Sequence, residues 1–341
     1  MDLTPLYGNT HSQYAMERNL TVQQEVPHGT VLTVGYEGSS AVHLPISFEN
    51  NMYPITGTLN GRPYRPSVPN QQSLNPNAGS LLYQSWVGTS HYDSLQASVR
   101  QTGKDLQSLV AYTWGKCTDL MSQPYSGDTL GESATGIFDG MNLKGNRGPC
   151  DYSVAQSFNG NVLYSPPLHG SVFVEGYQFG LISNIHSGLP FTPLATAGSS
   201  DVAPAAFAPS TPPDKVPGVS PQLGRHVTAN GLTWFNPAAF TPQPFGVVGN
   251  AGRDSLVGPK FVDFDVSLMK NTPLHFLGEG GSLQLRWELF NVANHPNFAL
   301  PNGTVFSGTP TAQGKAVPTA GLITGTAGFM RQMQFGLKVL F

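Results

Sequence analysis

Apolar and polar residues alternate along much of this chain. In the last stretch, RQMQFGLKVLF over 331–341, Met333, Phe335, Leu337, Val339 and Phe341 share one parity. Gln332, Gln334, Gly336 and Lys338 hold the other, and only Leu340 is out of step. A period of two predicts a β-strand with one apolar and one polar face. The same rhythm recurs upstream. Its apolar positions are Met16, Leu20 and Val22 in 16–24, and Leu32, Val34 and Tyr36 in 30–38. In 92–100, Leu95, Ala97 and Val99 oppose Ser94, Gln96, Ser98 and Arg100. Val110, Tyr112 and Trp114 mark 106–114, and Phe158, Val162 and Tyr164 mark 156–164. Tyr177, Phe179, Leu181 and Ile185 mark a strand ending near 186. In 261–270, Val262, Phe264, Val266 and Leu268 face away from Asp263, Asp265 and Ser267. In 282–292, Leu283, Leu285, Trp287 and Leu289 face away from Gln284, Arg286 and Glu288.

These about nine predicted strands are joined by short turns and long loops in strict alternation. The turns at 26–29, 101–105 and 166–170 are short, whereas the loops at 39–91, 116–155 and 188–260 are rich in Gly, Pro and polar residues. Greasy parity on every strand, tight turns at one end and long loops at the other describe an all-β, antiparallel, up-and-down transmembrane barrel wall. The long loops are then extracellular, the short turns periplasmic, and outer-membrane lipid is the partner of the apolar face. A secreted or periplasmic β-rich binding protein is the alternative. Loops of this length sit badly in a sandwich, and no blade-length repeat points to a propeller. An odd strand count cannot close such a barrel without a mispaired seam, so the sequence reads as part of a longer barrel.

Composition agrees with a membrane wall. Charged residues make up 11% of the chain, against about a quarter in a typical soluble domain. The net charge of −3 gives no electrostatic footprint for nucleic acid. No apolar run is long enough for a transmembrane helix. The first twenty residues lack the basic and apolar regions of an export signal, which again reads as a piece of a longer precursor.

Candidate chemistry is sparse. Asp263 and Asp265 share a face, as do Arg286 and Glu288 on the adjoining strand. They can be read as an acid/base pair or as a lumen-facing charge network together with Gln284, the kind of surface a barrel interior needs. The nine His are scattered without ligand spacing, and no cofactor motif is present. The loop aromatics Trp234, Phe235 and Phe240 either contact a solute at the mouth or pack the loop on itself. The glycines of 246–258 read as a flexible loop. Cys117 and Cys150 bracket one long loop. They are either bridged or two free thiols, since spacing alone cannot prove a bond.

Several stretches resemble one family. Thr33-Val34-Gly35-Tyr36-Glu37-Gly38-Ser39-Ser40, Tyr92-Asp93-Ser94-Leu95-Gln96 and Ala111-Tyr112-Thr113-Trp114-Gly115-Lys116 look like strand ends of the TonB-dependent outer-membrane transporters, Oar-like branch. Asn146-Arg147-Gly148-Pro149 with Asp151, Ser187-Gly188-Leu189-Pro190-Phe191-Thr192 and Gly249-Asn250-Ala251-Gly252-Arg253 follow in the family's order. So do Trp234-Phe235-Asn236-Pro237-Ala238-Ala239-Phe240 and the stretch from Glu288 through Asn291, Asn294, His295 and Asn297 to Phe298. The resemblance implies a barrel of about 22 strands around a plug, of which residues 1–341 would be the carboxyl-terminal part, without the plug. It implies uptake of a small solute or oligosaccharide driven by TonB through that plug, with no enzymatic activity and no cofactor. It also implies that Phe335, Leu337, Val339 and Phe341 form the signal read by the barrel insertion machinery.

Overall fold

The structure is a computed structural model. It describes residues 3–7, 10–66, 73–77, 81–122, 139–196, 202, 210–229, 231–278, 280–308 and 314–341. Nine strands form one continuous antiparallel meander: β1 Tyr14–Val26, β2 Thr30–Glu49, β3 Leu81–Thr102, β4 Leu106–Asp119, β5 Gln156–Tyr164, β6 Tyr177–His186, β7 Phe261–Pro273, β8 Ser282–Phe290 and β9 Gln332–Leu340. Each pairs with its neighbours in sequence. Among the described residues the outer edges of β1 and β9 have no strand partner. Two short pieces join the sheet off this path: Leu3–Tyr7 runs parallel to the start of β3, and Gly148–Pro149 pairs with the end of β4.

The register carries the alternation across the sheet. Leu20, Tyr36, Leu95 and Trp114 stand in one cross-strand row, and Leu268, Trp287 and Phe335 in another. A single greasy face therefore runs over all nine strands, because a one-residue slip would invert it. Many of its side chains are uncovered even on inner strands, with Leu95 45%, Trp114 59% and Leu285 48% exposed, a continuous apolar surface too large for a water-facing sheet. Polar residues bound this band. Arg18, Gly38, Asp93 and Lys116 form one row on the long-loop side. There Arg18 lies 3.7 Å from Asp93, which also accepts from the Tyr36 hydroxyl at 2.5 Å. Trp114 and Tyr112 lie just inside that border, and Tyr164 and Tyr177 lie at the short-turn ends of β5 and β6, as interfacial aromatics do.

The short turns are built by local backbone demands. Between β1 and β2, His28 and Gly29 both have φ of 71°, the left-handed geometry of tight hairpins. A side chain on Gly29 would strike the Thr102 carbonyl, only 2.5 Å from where its Cβ would sit.

The β2–β3 hairpin departs from the sequence expectation. Alternation predicts strands ending at 38 and starting at 92, yet pairing continues through Glu49↔Leu82. The extension bulges around Val42 and Leu44, with His43 at φ 57°. Such a bulge shifts the parity, and beyond the lipid neither face has to be uniformly apolar. The hydrophobic rhythm is therefore lost while the ladder persists. The extension carries Ile46 and Phe48, which pack with Leu120, Tyr83 and Leu143.

Candidate functional site

The long-loop end of the sheet carries a folded body. Short ladders tie its segments together. Pro190–Phe191 pairs with Leu256–Val257, Leu194–Ala195 with Thr304–Ser307, and Asp214–Lys215 with Phe240–Thr241. Gly231–Phe235 lies between Gln222–Thr228 and Leu322–Ile323. A core of Phe191, Phe235, Phe240, Leu256, Val305 and Phe306 closes over them, drawn from the β6–β7 and β8–β9 loops. Close backbone approach requires Gly188, whose Cβ would lie 1.8 Å from the Gly258 carbonyl oxygen.

This arrangement decides between the readings of the loop aromatics. Phe235 and Phe240 are buried in that core, and their rings meet edge to face 6.0 Å apart. They hold the loops together and offer no surface to a solute, which corrects the expectation that they contact one. Trp234 stays half-buried at the margin, with its indole N–H donating to the Val257 carbonyl at 2.8 Å. The segment 246–258 is likewise not a free loop, because Val247, Ala251, Arg253, Asp254 and Leu256 are all buried.

Arg253 is the centre of a buried polar knot. Its Nε donates to the Asn146 carbonyl at 3.2 Å. Nη1 reaches Asp254 at 2.7 Å and the Ser122 hydroxyl at 3.2 Å. Nη2 donates to the Asp119 carbonyl at 3.0 Å, to the Asp119 carboxylate and to the Gly148 carbonyl at 3.4 Å. Asp254, at φ 51°, exchanges hydrogen bonds with Thr192, its N–H donating at 2.9 Å and its carboxylate accepting at 3.1 Å. Three of the family-like stretches, around Asn146, Thr192 and Arg253, thus meet around one guanidinium, Thr192 through Asp254. A guanidinium with every nitrogen satisfied is what makes a buried charge tolerable. Beside it the Tyr152 phenol is pushed above its ordinary value by burial and by the carboxylates of Asp119 and Asp151, so it stays neutral.

Cys117 and Cys150 are joined in a disulfide at the foot of the same body, with a Cα–Cα distance of 5.4 Å. The Cys150 N–H also donates to the Cys117 carbonyl.

A second polar clasp closes the tops of β7, β8 and β9. Asn291, at φ 49°, donates its N–H to Asp265 at 2.9 Å, and its amide group holds the His295 and Phe329 carbonyls, both at 3.0 Å. Asn297 brackets Val262, accepting from its N–H at 2.8 Å and donating to its carbonyl at 3.0 Å. Asn294 accepts from the Arg331 N–H at 3.1 Å. Short amide side chains tolerate left-handed backbone and satisfy loop carbonyls, which explains three Asn within seven residues.

The polar face of the sheet carries the remaining sequence candidates, but not as one network. Gln284, Arg286 and Glu288 pair with Asn271, Met269 and Ser267 on β7, and with Lys338, Gly336 and Gln334 on β9. Arg286 and Glu288 lie 3.7 Å apart and partly solvated, a contact worth under about 1 kcal/mol. Asp263 and Asp265 lie nearer the long-loop end, opposite Asn184 and Ile182. Asp265 is spent on Asn291, so the two aspartates do not work as a matched pair. Among the described residues no cluster of three His, Cys, Asp or Glu is placed to hold a metal.

Sequence reasoning missed a cavity of about 180 Å³ inside the loop body, lined by Arg62, Arg65, Asp139, Asn142, Asn146 and Asn250. Arg62 grips Asp214 with both terminal nitrogens, at 2.5 and 2.6 Å. Arg65 pairs with Asp139 at 2.8 Å, and among the described residues its buried Nε has no partner. None of these residues lies on an alternating strand, so no periodic signal pointed to them.

A nine-stranded meander with one lipid-type face, one polar face and a folded cap over its long loops defines an outer-membrane β-barrel wall. The family of outer membrane beta barrel domains matches residues 3–334, and the chain belongs to that family. The protein is thereby placed in the outer membrane, with its long loops outside the cell and its short turns in the periplasm. Among solved structures, the outer membrane transporter YddB from Escherichia coli aligns with 96% of this chain, at a TM-score of 0.45 and 9% identity. The chain spans about a third of that transporter's length, 32%. No curated protein sequence matches the chain.

Proposed function

We propose that the chain supplies part of the wall and the extracellular cap of a TonB-dependent solute transporter of the Oar-like branch. The observation that carries the reading is the convergence of the family-like stretches. Those around Asn146, Thr192 and Arg253 form one buried knot, and those around Asn291 and Asn297 form the clasp beside it. These stretches resemble the branch's own, and their joint use gives the resemblance a physical role. The polar face bearing Gln284, Arg286 and Glu288 supports an interior that touches water or a plug rather than lipid. On this reading the nine strands are one arc of a wider wall, since barrel diameter grows with strand number. The insertion machinery takes β9 through its apolar row, Phe335, Leu337, Val339 and Phe341. TonB acts through a plug inside the complete wall.

The test compares cells with and without TonB, each expressing the complete gene. Accumulation of a labelled ferric siderophore, oligosaccharide or peptide is expected to require both the gene and TonB. Equal accumulation in the two strains for every solute, with the protein present in the outer membrane, would remove the reading.

A further inference from the structure

We infer that the apolar face of the sheet carries a specific site for one anionic phospholipid of the periplasmic leaflet. A groove of about 430 Å³ lies between two cross-strand rows on the lipid side. One row is Tyr177, Lys270, Leu285 and Leu337, and the other is Leu268, Trp287 and Phe335. The Trp287 and Phe335 rings stack with centroids 6.2 Å apart and planes 6° from parallel, forming one wall. The groove opens on a face already assigned to hydrocarbon. Water gains nothing there, and acyl chains are the apolar matter available to fill it.

Lys270 sets the class of lipid. Of the positions on the greasy parity of the nine strands, only Arg18, Asp93, Lys116 and Lys270 carry charge. The first three form the extracellular border row. Lys270 stands alone, three residues before Pro273 ends β7 at a periplasmic turn. Its ammonium donates to the Val172 carbonyl at 2.7 Å and to the Glu175 carbonyl, and lies 4.9 Å from the centre of the Tyr177 ring. Those contacts fix the ammonium over one end of the groove. They neutralise nothing, and among the described residues no carboxylate pairs with it. An ammonium has three protons to donate, so one remains. A fixed, uncompensated cation at the headgroup level, above an apolar groove, is complementary to a phosphodiester carrying an acyl tail. A headgroup with net negative charge is favoured over a zwitterion.

The experiment is native mass spectrometry of the assembled protein, extracted in mild detergent. It is titrated separately with phosphatidylglycerol, phosphatidylcholine and inorganic phosphate. One phosphatidylglycerol is expected to be retained in preference to phosphatidylcholine, and phosphate is expected not to displace it. Lys270→Gln should weaken retention about fivefold, the equivalent of about 1 kcal/mol per basic residue at a membrane surface, and Lys270→Arg should restore it. Leu337→Trp leaves the Lys270 contacts in place and fills the groove, so it should also abolish retention. That separates lipid binding from any role of Lys270 in holding the periplasmic turn. Equal retention of the two lipids would overturn the inference. So would unchanged binding in Lys270→Gln or Leu337→Trp, or displacement by phosphate alone.

Discussion

Arg253 and Asp119 are 134 residues apart in sequence and form a buried ion pair at the seam between two extracellular loops. Asp119 ends β4, and Arg253 lies in the loop that precedes β7. Because Arg253 also holds Asp254 and the carbonyls of Asn146 and Gly148, its removal strands two carboxylates in a dry site. Arg253→Met is therefore expected to destabilise the loop body by about 3–5 kcal/mol. Arg253→Lys should rescue little, since the three donors of one ammonium cannot replace the five of a planar guanidinium spread over six acceptors. Hydrogen exchange of the assembled protein checks this. Protection in 139–155, 188–196 and 231–260 should fall while the strands stay protected. Unchanged exchange in those loops would show that the knot is not what holds them.

The wall was legible in the sequence and the cap was not, for a physical reason. Lipid demands apolar side chains at every second residue, so Leu283, Leu285, Trp287 and Leu289 announce a strand and its outward face at once. Above the lipid the demand stops. The β2–β3 ladder continues past His43 with a shifted parity, and the cap is held by guanidinium, amide and left-handed backbone contacts that have no period. Arg253 and Asn291 appeared only inside stretches resembling a family, without a role. The fate of Phe235 and Phe240 depended on which other loop covered them. Val305 and Phe306 do so from the β8–β9 loop, a contact that spacing along the chain cannot reveal. Of the residues lining the Arg62–Arg65 cavity, Asn146 and Asn250 lie within family-like stretches, whereas Arg62, Arg65, Asp139 and Asn142 carry no signal in the sequence.

The disulfide sets a second expectation. Cys117 and Cys150 are 33 residues apart, and closing a loop of that length contributes about 3–4 kcal/mol by the chain-entropy estimate. Cys150→Ser should lower the stability of the cap by that order and leave insertion of the barrel wall intact. Peptide mapping without reductant should recover the linked pair from wild-type protein, and thermal unfolding with and without reductant gives the magnitude. Two free thiols after export, or no response to reductant, would contradict the structure.

Aromatic residues next to each other in sequence should behave differently. Phe235 is fully buried between Phe191 and Phe240. Phe235→Ala is expected to cost about 3–5 kcal/mol through the cavity it leaves. Trp234 lies at the margin and makes one hydrogen bond to Val257. Trp234→Ala should cost clearly less and leave the fold of the cap intact, so any loss of solute binding in that variant reports a contact and not a collapse. Protease protection of the cap ranks the two, and an equal loss in both would place Trp234 in the core after all.

The assignment of faces makes the most direct prediction. Leu285 lies between Lys270 and Leu337 in the greasy row, whereas Gln284 lies between Asn271 and Lys338 in the polar one. The two are adjacent in sequence and at nearly the same depth, so a charge placed at either samples the same leaflet from opposite sides of the wall. Leu285→Arg puts a guanidinium on the lipid face directly beside Lys270, toward the headgroups, and should cost less than the about 2–4 kcal/mol of a midplane site while still exceeding the cost at Gln284. Gln284→Arg puts the same group on the polar face. Its main new cost is repulsion from Lys338 and nearby Arg286, which water screens. Refolding titrations into vesicles, started from urea, should separate the variants by more than their individual errors, with Leu285→Arg the weaker. Equal destabilisation, or the reverse order, would mean that the parity is inverted and that the row running from Leu20 through Trp114 faces the interior.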